Sequence, residues 1–224
     1  MTNSPPATLI PAATILLLRD GSDGLEVLML RRNKALKAFG GAWVFPGGRV
    51  DDADAPGEDE LTRAKAAAVR ETAEETGLDI AGAQMSVLSK WIPPIQEKRR
   101  FATWFFVAKA PDADVQIDHG EIHDYKWVCP KQVVTDTPDA QTVIMPPTFV
   151  SLHDIMDSST AEAAMAMTDA NKTQTFETKF DSTDTGFVTY WEGDAAYETG
   201  DLSLAGPRRR LMTGSDSWIY QADI

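Results

Sequence analysis

The chain has 224 residues, 43% of them hydrophobic and 25% charged, a balance that excludes a collagen-like polymer, global disorder and a membrane bundle and requires a buried core. Its 21 Lys and Arg against 34 Asp and Glu give a formal charge of -13, the wrong sign for a nucleic-acid backbone or an anionic membrane surface as partner. Cys129 is the only cysteine, which excludes an intrachain disulfide and a cysteine-rich zinc site and fits a reducing compartment.

Residues 1–14 lack a cationic start, and the apolar run Leu9 to Leu18 is broken by Pro11. Neither a signal peptide nor a spanning helix is expected, so the expected location is cytoplasmic. Ala12 to Leu18 and Leu25 to Arg31 read as paired strands around the Asp and Gly turn at 20–24. After Gly40 and Gly41 comes Trp43-Val44-Phe45-Pro46-Gly47-Gly48, where the glycines remove side chains at a sharp turn or a close approach to ligand. Glu58 to Thr76 is rich in helix formers and is followed by Gly77 at the C-cap position. Strands are expected at Met85 to Trp91, Phe101 to Ala108 and Tyr125 to Val128, then helices at Thr148 to Met156 and Thr160 to Ala170, and a strand-like tail from Thr175 to Tyr190. The pattern predicts an α+β mixed sheet with helices packed on it. Residues 8–145 form the expected core, and 146–224 an extension packed on the same domain.

The predicted helix carries the chemistry. At 100° per residue, Glu71, Glu74 and Glu75 share one face within about 100° of arc. Neighbours three and four residues apart repel, so at least one should resist ionisation until a cation arrives. Hard ions such as Mg²⁺ take carboxylate oxygens and share them with substrate phosphates. Arg70 reaches Glu74 one turn on and can orient it.

The run Arg70-Glu71-Thr72-Ala73-Glu74-Glu75-Thr76-Gly77-Leu78 resembles the second half of the Nudix hydrolase signature, which reads Gly, five residues, Glu, seven residues, then Arg-Glu-aliphatic-any-Glu-Glu-any-Gly-aliphatic. Thr72 departs from the aliphatic position. Gly48 precedes Arg70 by 22 positions where the pattern has 14, an insertion of about eight residues. Counting back from Arg70 puts Thr62 at the upstream acid position, with Glu58 or Glu60 as substitutes.

The resemblance implies a Nudix-type α/β/α sandwich. It also implies Mg²⁺ or Mn²⁺ held by Glu71, Glu74 and Glu75, and hydrolysis of a diphosphate linked to a nucleoside. Arg70, Glu74 and Glu75 join Glu121 as the expected catalytic set; Glu121 lies where such enzymes often place a further carboxylate, and His119 and His123 are nearby titrating groups. Gly47 and Gly48 with Arg31, Arg32, Arg99 and Arg100 are the expected substrate-binding residues, the arginines restoring positive charge beside Lys34, Lys37 and Lys98; Arg208, Arg209 and Arg210 make a third basic run. Trp43 to Asp52 and Arg99 to Phe106 look like the branch containing coenzyme A diphosphatases, although Ala102 stands where that branch tends to have Asp. That branch splits coenzyme A or its acyl derivatives into 3',5'-ADP and a 4'-phosphopantetheine fragment. ADP-ribose or dinucleotides are the alternative substrates, and a nucleotide-binding module with weak catalysis is the alternative class. The expected partner is the small-molecule substrate, without nucleic acid or membrane, and a homodimer stays open.

Overall fold

The computed structural model describes residues 7–35, 40–139 and 141–223. The first hairpin is β1 (Leu9–Gly21) and β2 (Gly24–Arg32), closing on Gly21 opposite Gly24. Two short strands, β3 (Trp43–Val44) and β4 (Gly47–Arg49), flank the Phe45-Pro46 turn. Helix α1 (Glu60–Thr76) starts two residues later than the composition suggests. Asp59 caps it by accepting from Thr62 N, and Gly77 ends it at φ 70°.

Strands β5 (Ser86–Ile92), β6 (Arg100–Lys109) and β7 (Ile122–Val128) follow, then helices α2 (Pro130–Asp136), α3 (Pro146–Ile155) and α4 (Ala161–Ala170). The expected tail strand is three pieces, β8 (Gln174–Glu177), β9 (Lys179–Ser182) and β10 (Phe187–Tyr190), joined by β11 (Arg209–Thr213) and β12 (Trp218–Ala222). Among the described residues, β1 to β8 make an eight-stranded sheet in the order β3-β2-β1-β6-β5-β8, with β4 on β1 and β7 on β2. β9 to β12 make a second, antiparallel sheet. Parallel pairs β1–β6 and β5–β8 make the large sheet mixed, as expected.

Strand alternation sends β1 into two cores. Ala13, Ile15 and Leu17 pack with Ala64, Ala67 and Ala68 of α1 on one face. Leu16 and Leu18 pack on the other with Phe149 of α3, Ala161 and Ala164 of α4, Trp191 and Leu211. The α/β/α layering follows. On the second face Trp91 stacks on Phe176 at 4.1 Å, and Trp191 meets both edge-on. Asp20 Oδ1 accepts from Ala161 N at 2.7 Å, fixing the first turn of α4 to the end of β1. Asp194 accepts from Ala196 N, Arg209 N and the Arg210 guanidinium, which fastens β11 of the small sheet.

Candidate active site

The glycine turn is built against β1. Thr14 Oγ1 donates to Pro46 O at 2.7 Å, and β4 pairs with β1 so that Gly47 faces Thr14 and Gly48 faces Ala13. A Cβ on Gly47 would lie 2.3 Å from Ala13 O, and its φ of 152° suits glycine alone. A Cβ on Gly48 would instead lie 2.4 Å from Glu71 Oε1. The first glycine lets the backbone pass; the second admits a carboxylate.

Glu75 turns inward to the same bend, where its Oε2 accepts from Gly47 N at 2.9 Å. It is 6% exposed, and burial pushes its carboxyl up to about 8, against the pull of the Gly47 N–H and Arg32. Burial also raises Glu71, although Arg70 opposes it. Two acids therefore resist ionisation, but desolvation outweighs the mutual repulsion that the sequence pattern suggested. Glu74 does not join them: it remains exposed at the rim, with one oxygen 3.2 Å from Arg70 Nη1.

Arg70 spends its donors on positioning. Nη1 reaches Glu71 at 2.9 Å and Glu74 at 3.2 Å, and Nη2 donates to Arg49 O. Nε and Nη2 form a fork with Asp54 Oδ1 and Oδ2, both at 2.9 Å. Asp54 is buried, and this fork holds its carboxyl below the ordinary range.

That pairing corrects the reading of the upstream acid. Asp54 follows Gly48 after five residues, so counted forward an acid stands at the upstream position, Asp in place of Glu, and the extra residues lie between Asp54 and Arg70. Thr62 sits in the exposed first turn of α1 instead. Glu60 is occupied elsewhere, accepting from Lys90 Nζ at 2.7 Å and Trp104 Nε1 at 2.9 Å. Arg63 ties the insertion down through Asp51 O and Asp54 O.

A cleft of about 600 Å³ opens beside these groups. Its walls include Gly47, Gly48, Arg70, Glu71 and Glu74, and also Arg99 and Phe101. Met145 and Thr148, on either side of the boundary between core and extension, line it too, as do Arg32 and Glu121, which lie 3.3 Å apart. Neither Phe45 nor Phe105, which wall it, carried a polar signal that could single it out in the sequence.

Two expected substrate contacts fall outside the cleft. Arg31 alternates to the opposite side of β2 from Arg32 and lies over the Trp43 ring at 5.9 Å. Arg100 is buried, and its guanidinium donates to Pro93 O and Ala7 O, bracing the chain ahead of β6. Arg210 is paired with Asp194 and Arg209 is buried, so the third basic run is structural. Lys37 lies outside the described residues, and His119 and His123 are exposed.

The NUDIX domain family model matches residues 8–146, more than half of the chain. The chain belongs to the Nudix family. A Caenorhabditis elegans protein bearing the name nudix hydrolase 7 is 27% identical across 57% of this chain and 54% of its own length, so the Nudix chain spans about half of that curated relative. A NUDIX hydrolase structure from Alicyclobacillus acidocaldarius superposes with TM-score 0.65 at 21% identity, covering 71% of this chain and 96% of the other. A MutT protein from Methanosarcina mazei Go1 gives 0.52 at 23% identity, covering 69% and 96%. Both share the Nudix fold.

The Nudix family implies a divalent cation. Among the described residues no three carboxylate, His or Cys groups are gathered to hold an ion. The convergent set is the pair Glu71 and Glu75. Their hard oxygens, at the Gly47-Gly48 bend beside an open cleft, fit an ion that takes one or two protein carboxylates and completes its shell with water and phosphate. Asp54, paired with Arg70, puts a carboxylate after Gly48 and five intervening residues, where the count back from Arg70 gives Thr62.

Among the described residues no helix is long and apolar enough to cross a membrane.

Proposed function

We propose that this Nudix protein hydrolyses the diphosphate linkage of a nucleoside diphosphate derivative with the help of Mg²⁺ or Mn²⁺. The observation that carries the reading is the approach of Glu71 and Glu75 to the Gly47-Gly48 bend beside a cleft lined also by Arg32, Arg49 and Arg99. A bound divalent ion would neutralise phosphate charge and acidify a water. Glu71 and Glu75 would hold it, with Glu74 near enough to join after a rotamer change. Arg70, braced by Asp54, keeps the Glu71 carboxylate in place.

Arg32 and Arg99 would bind phosphate oxygens, and the Phe101 side of the cleft would receive the base. A water oxygen would bond to one phosphorus while the bridging P–O bond breaks, its electron pair leaving on the departing phosphate. Glu121, on the cleft wall, is the proposed acceptor of the water's proton.

Among substrates we favour coenzyme A and its acyl derivatives, on the likeness of Trp43 to Asp52 and Arg99 to Phe106 to that branch of the family. ADP-ribose and dinucleotides are the alternatives. The lone Cys129 supports the cytoplasm as the compartment.

Incubating the protein with coenzyme A, ADP-ribose and a diadenosine polyphosphate, each with and without Mg²⁺ or Mn²⁺, and separating products by chromatography tests the proposal. The expected result is metal-dependent release of 3',5'-ADP from coenzyme A at the highest rate. Faster cleavage of ADP-ribose moves the substrate assignment, and no turnover of any diphosphate defeats the hydrolase reading.

A further inference from the structure

Arg32 is held in place for the cleft by its backbone. Its N–H donates to Ala42 O and its carbonyl accepts from Gly41 N, both at 3.0 Å. The register between β2 and β7 shifts between Arg31 and Arg32, so that Arg31 pairs with Asp124 but Arg32 with Ile122. The extra residue, His123, lies on β7, so Arg32 keeps its ordinary place on β2 and the bulge brings Ile122, next to Glu121, opposite it. The Arg32 guanidinium lines the cleft and is 18% exposed.

Its partnership is incomplete. One contact, Nη2 to Glu121 Oε2, is long at 3.3 Å, and among the described residues the buried Nε has no hydrogen-bond partner. A guanidinium carries five donors and prefers a two-point acceptor. Glu121 is 62% exposed at its side chain, but its backbone is fixed: its carbonyl accepts from Asn33 N at 2.8 Å, and its N–H donates to Asp118 Oδ2 at 2.9 Å. Only the two side chains need to move for the pair to open.

We propose that Glu121 stands in for substrate on Arg32, and that an arriving diphosphate takes the guanidinium from it. The proposal rests on the diphosphate reading of the cleft and adds a competition within it. The free protein satisfies Arg32 with an exposed carboxylate, and the bound protein satisfies it with phosphate, which engages Nε as well. Displaced Glu121 is then free to face the cleft.

The two residues must therefore be coupled in binding, and with opposite signs. Calorimetric titration of the full chain with α,β-methylene-ADP, at one fixed Mg²⁺ concentration, reads this without turnover. Glu121→Gln is expected to tighten binding about two- to fivefold, the range set by a partly exposed ion pair. Arg32→Ala is expected to weaken it about tenfold or more, the loss of a charged hydrogen bond. In the Arg32→Ala background, Glu121→Gln is expected to change affinity less than about twofold, the general relief of one screened charge. Arg32→Lys, which keeps charge but not the fork, should restore part of the affinity, and it serves in place of Arg32→Ala if a melting curve shows that variant unfolded.

Equal effects of Glu121→Gln in both backgrounds, or weaker binding from Glu121→Gln alone, overturn the exchange while the diphosphate reading stands. No binding by the unaltered chain overturns that reading and the exchange with it.

Discussion

Neighbouring glycines in the bend make separate predictions. Gly47→Ala forces a Cβ against Ala13 O and Thr14 Cα at a backbone angle that side chains avoid. It should cost at least about 2 kcal/mol in chemical denaturation. Gly48→Ala meets first the carboxylate end of Glu71, the far end of a side chain that can turn aside without moving backbone. It should leave the melting temperature nearly unchanged and reduce diphosphate hydrolysis about 10- to 100-fold by displacing that carboxylate. Glu75 predicts a pH effect. Its folded pKa of about 8 lies above the ordinary 4.5, so its contribution to stability is full below about 4.5 and is lost as pH rises through about 8. Without metal, Glu75→Gln, whose amide oxygen can still accept from Gly47 N, should stabilise the protein at pH 9 by about 1–3 kcal/mol and change little at pH 4. Residue chemistry was legible where type and spacing carried it, as in the Arg70 to Leu78 run. It was not legible for which of Arg31 and Arg32 faces the cleft, which the place of β2 in the sheet decides.

Helix α1 shows how an insertion can hide a motif without breaking it. Counting forward from Gly48 gives Asp54 and counting back from Arg70 gives Thr62, and only the fold shows that the chain loops out and returns to place Asp54 on Arg70. Asp54→Asn should leave the buried side of Arg70 short of charge. We expect a loss of about 1–3 kcal/mol in stability and of about tenfold in activity, whereas Thr62→Glu should change neither. Unequal losses in the opposite order, with Thr62→Glu raising turnover, would return the upstream role to the start of the helix. Long periodic elements were legible, and so was the hairpin with its Gly and Asp turn. Helix α2 was not, because seven residues opening on Pro130 give too little period to read. Strand β11 was not, because Arg209 and Arg210 look like a solvated run until Asp194 is seen to neutralise one of them within the sheet.

On the scale of the whole molecule, the family match ends near residue 146, but the core that contains Leu16 and Leu18 does not. Phe149, Ala161, Phe176, Trp191 and Leu211 complete it. A chain cut after residue 145 should therefore expose one face of the large sheet, bind a hydrophobic dye and lose its near-ultraviolet dichroism. A cooperative melt of that fragment equal to the full chain's would show an independent core. Acid should attack the small sheet through Asp194, whose folded pKa of about 2 lies below the ordinary 3.8. The stabilisation it gives is present above about 4 and lost as pH falls towards about 2, and Asp194→Asn should remove that acid-sensitive portion, costing about 3 kcal/mol at pH 7 by leaving Arg210 buried without a counter-charge.

The parallel union of β1 with β6 has a consequence for biosynthesis. Leu9 to Leu18 must wait for Arg100 to Lys109, about ninety residues further along the chain, before the seam through Ala12 and Thr103 exists. A nascent polypeptide that has not yet emerged past that point owns the acidic helix, the glycine bend and the β1 strand behind them, but not the β6 wall that brings Phe101, Thr103 and Phe105 to the cleft. Enzymatic competence would therefore switch on late in translation, together with closure of the sheet.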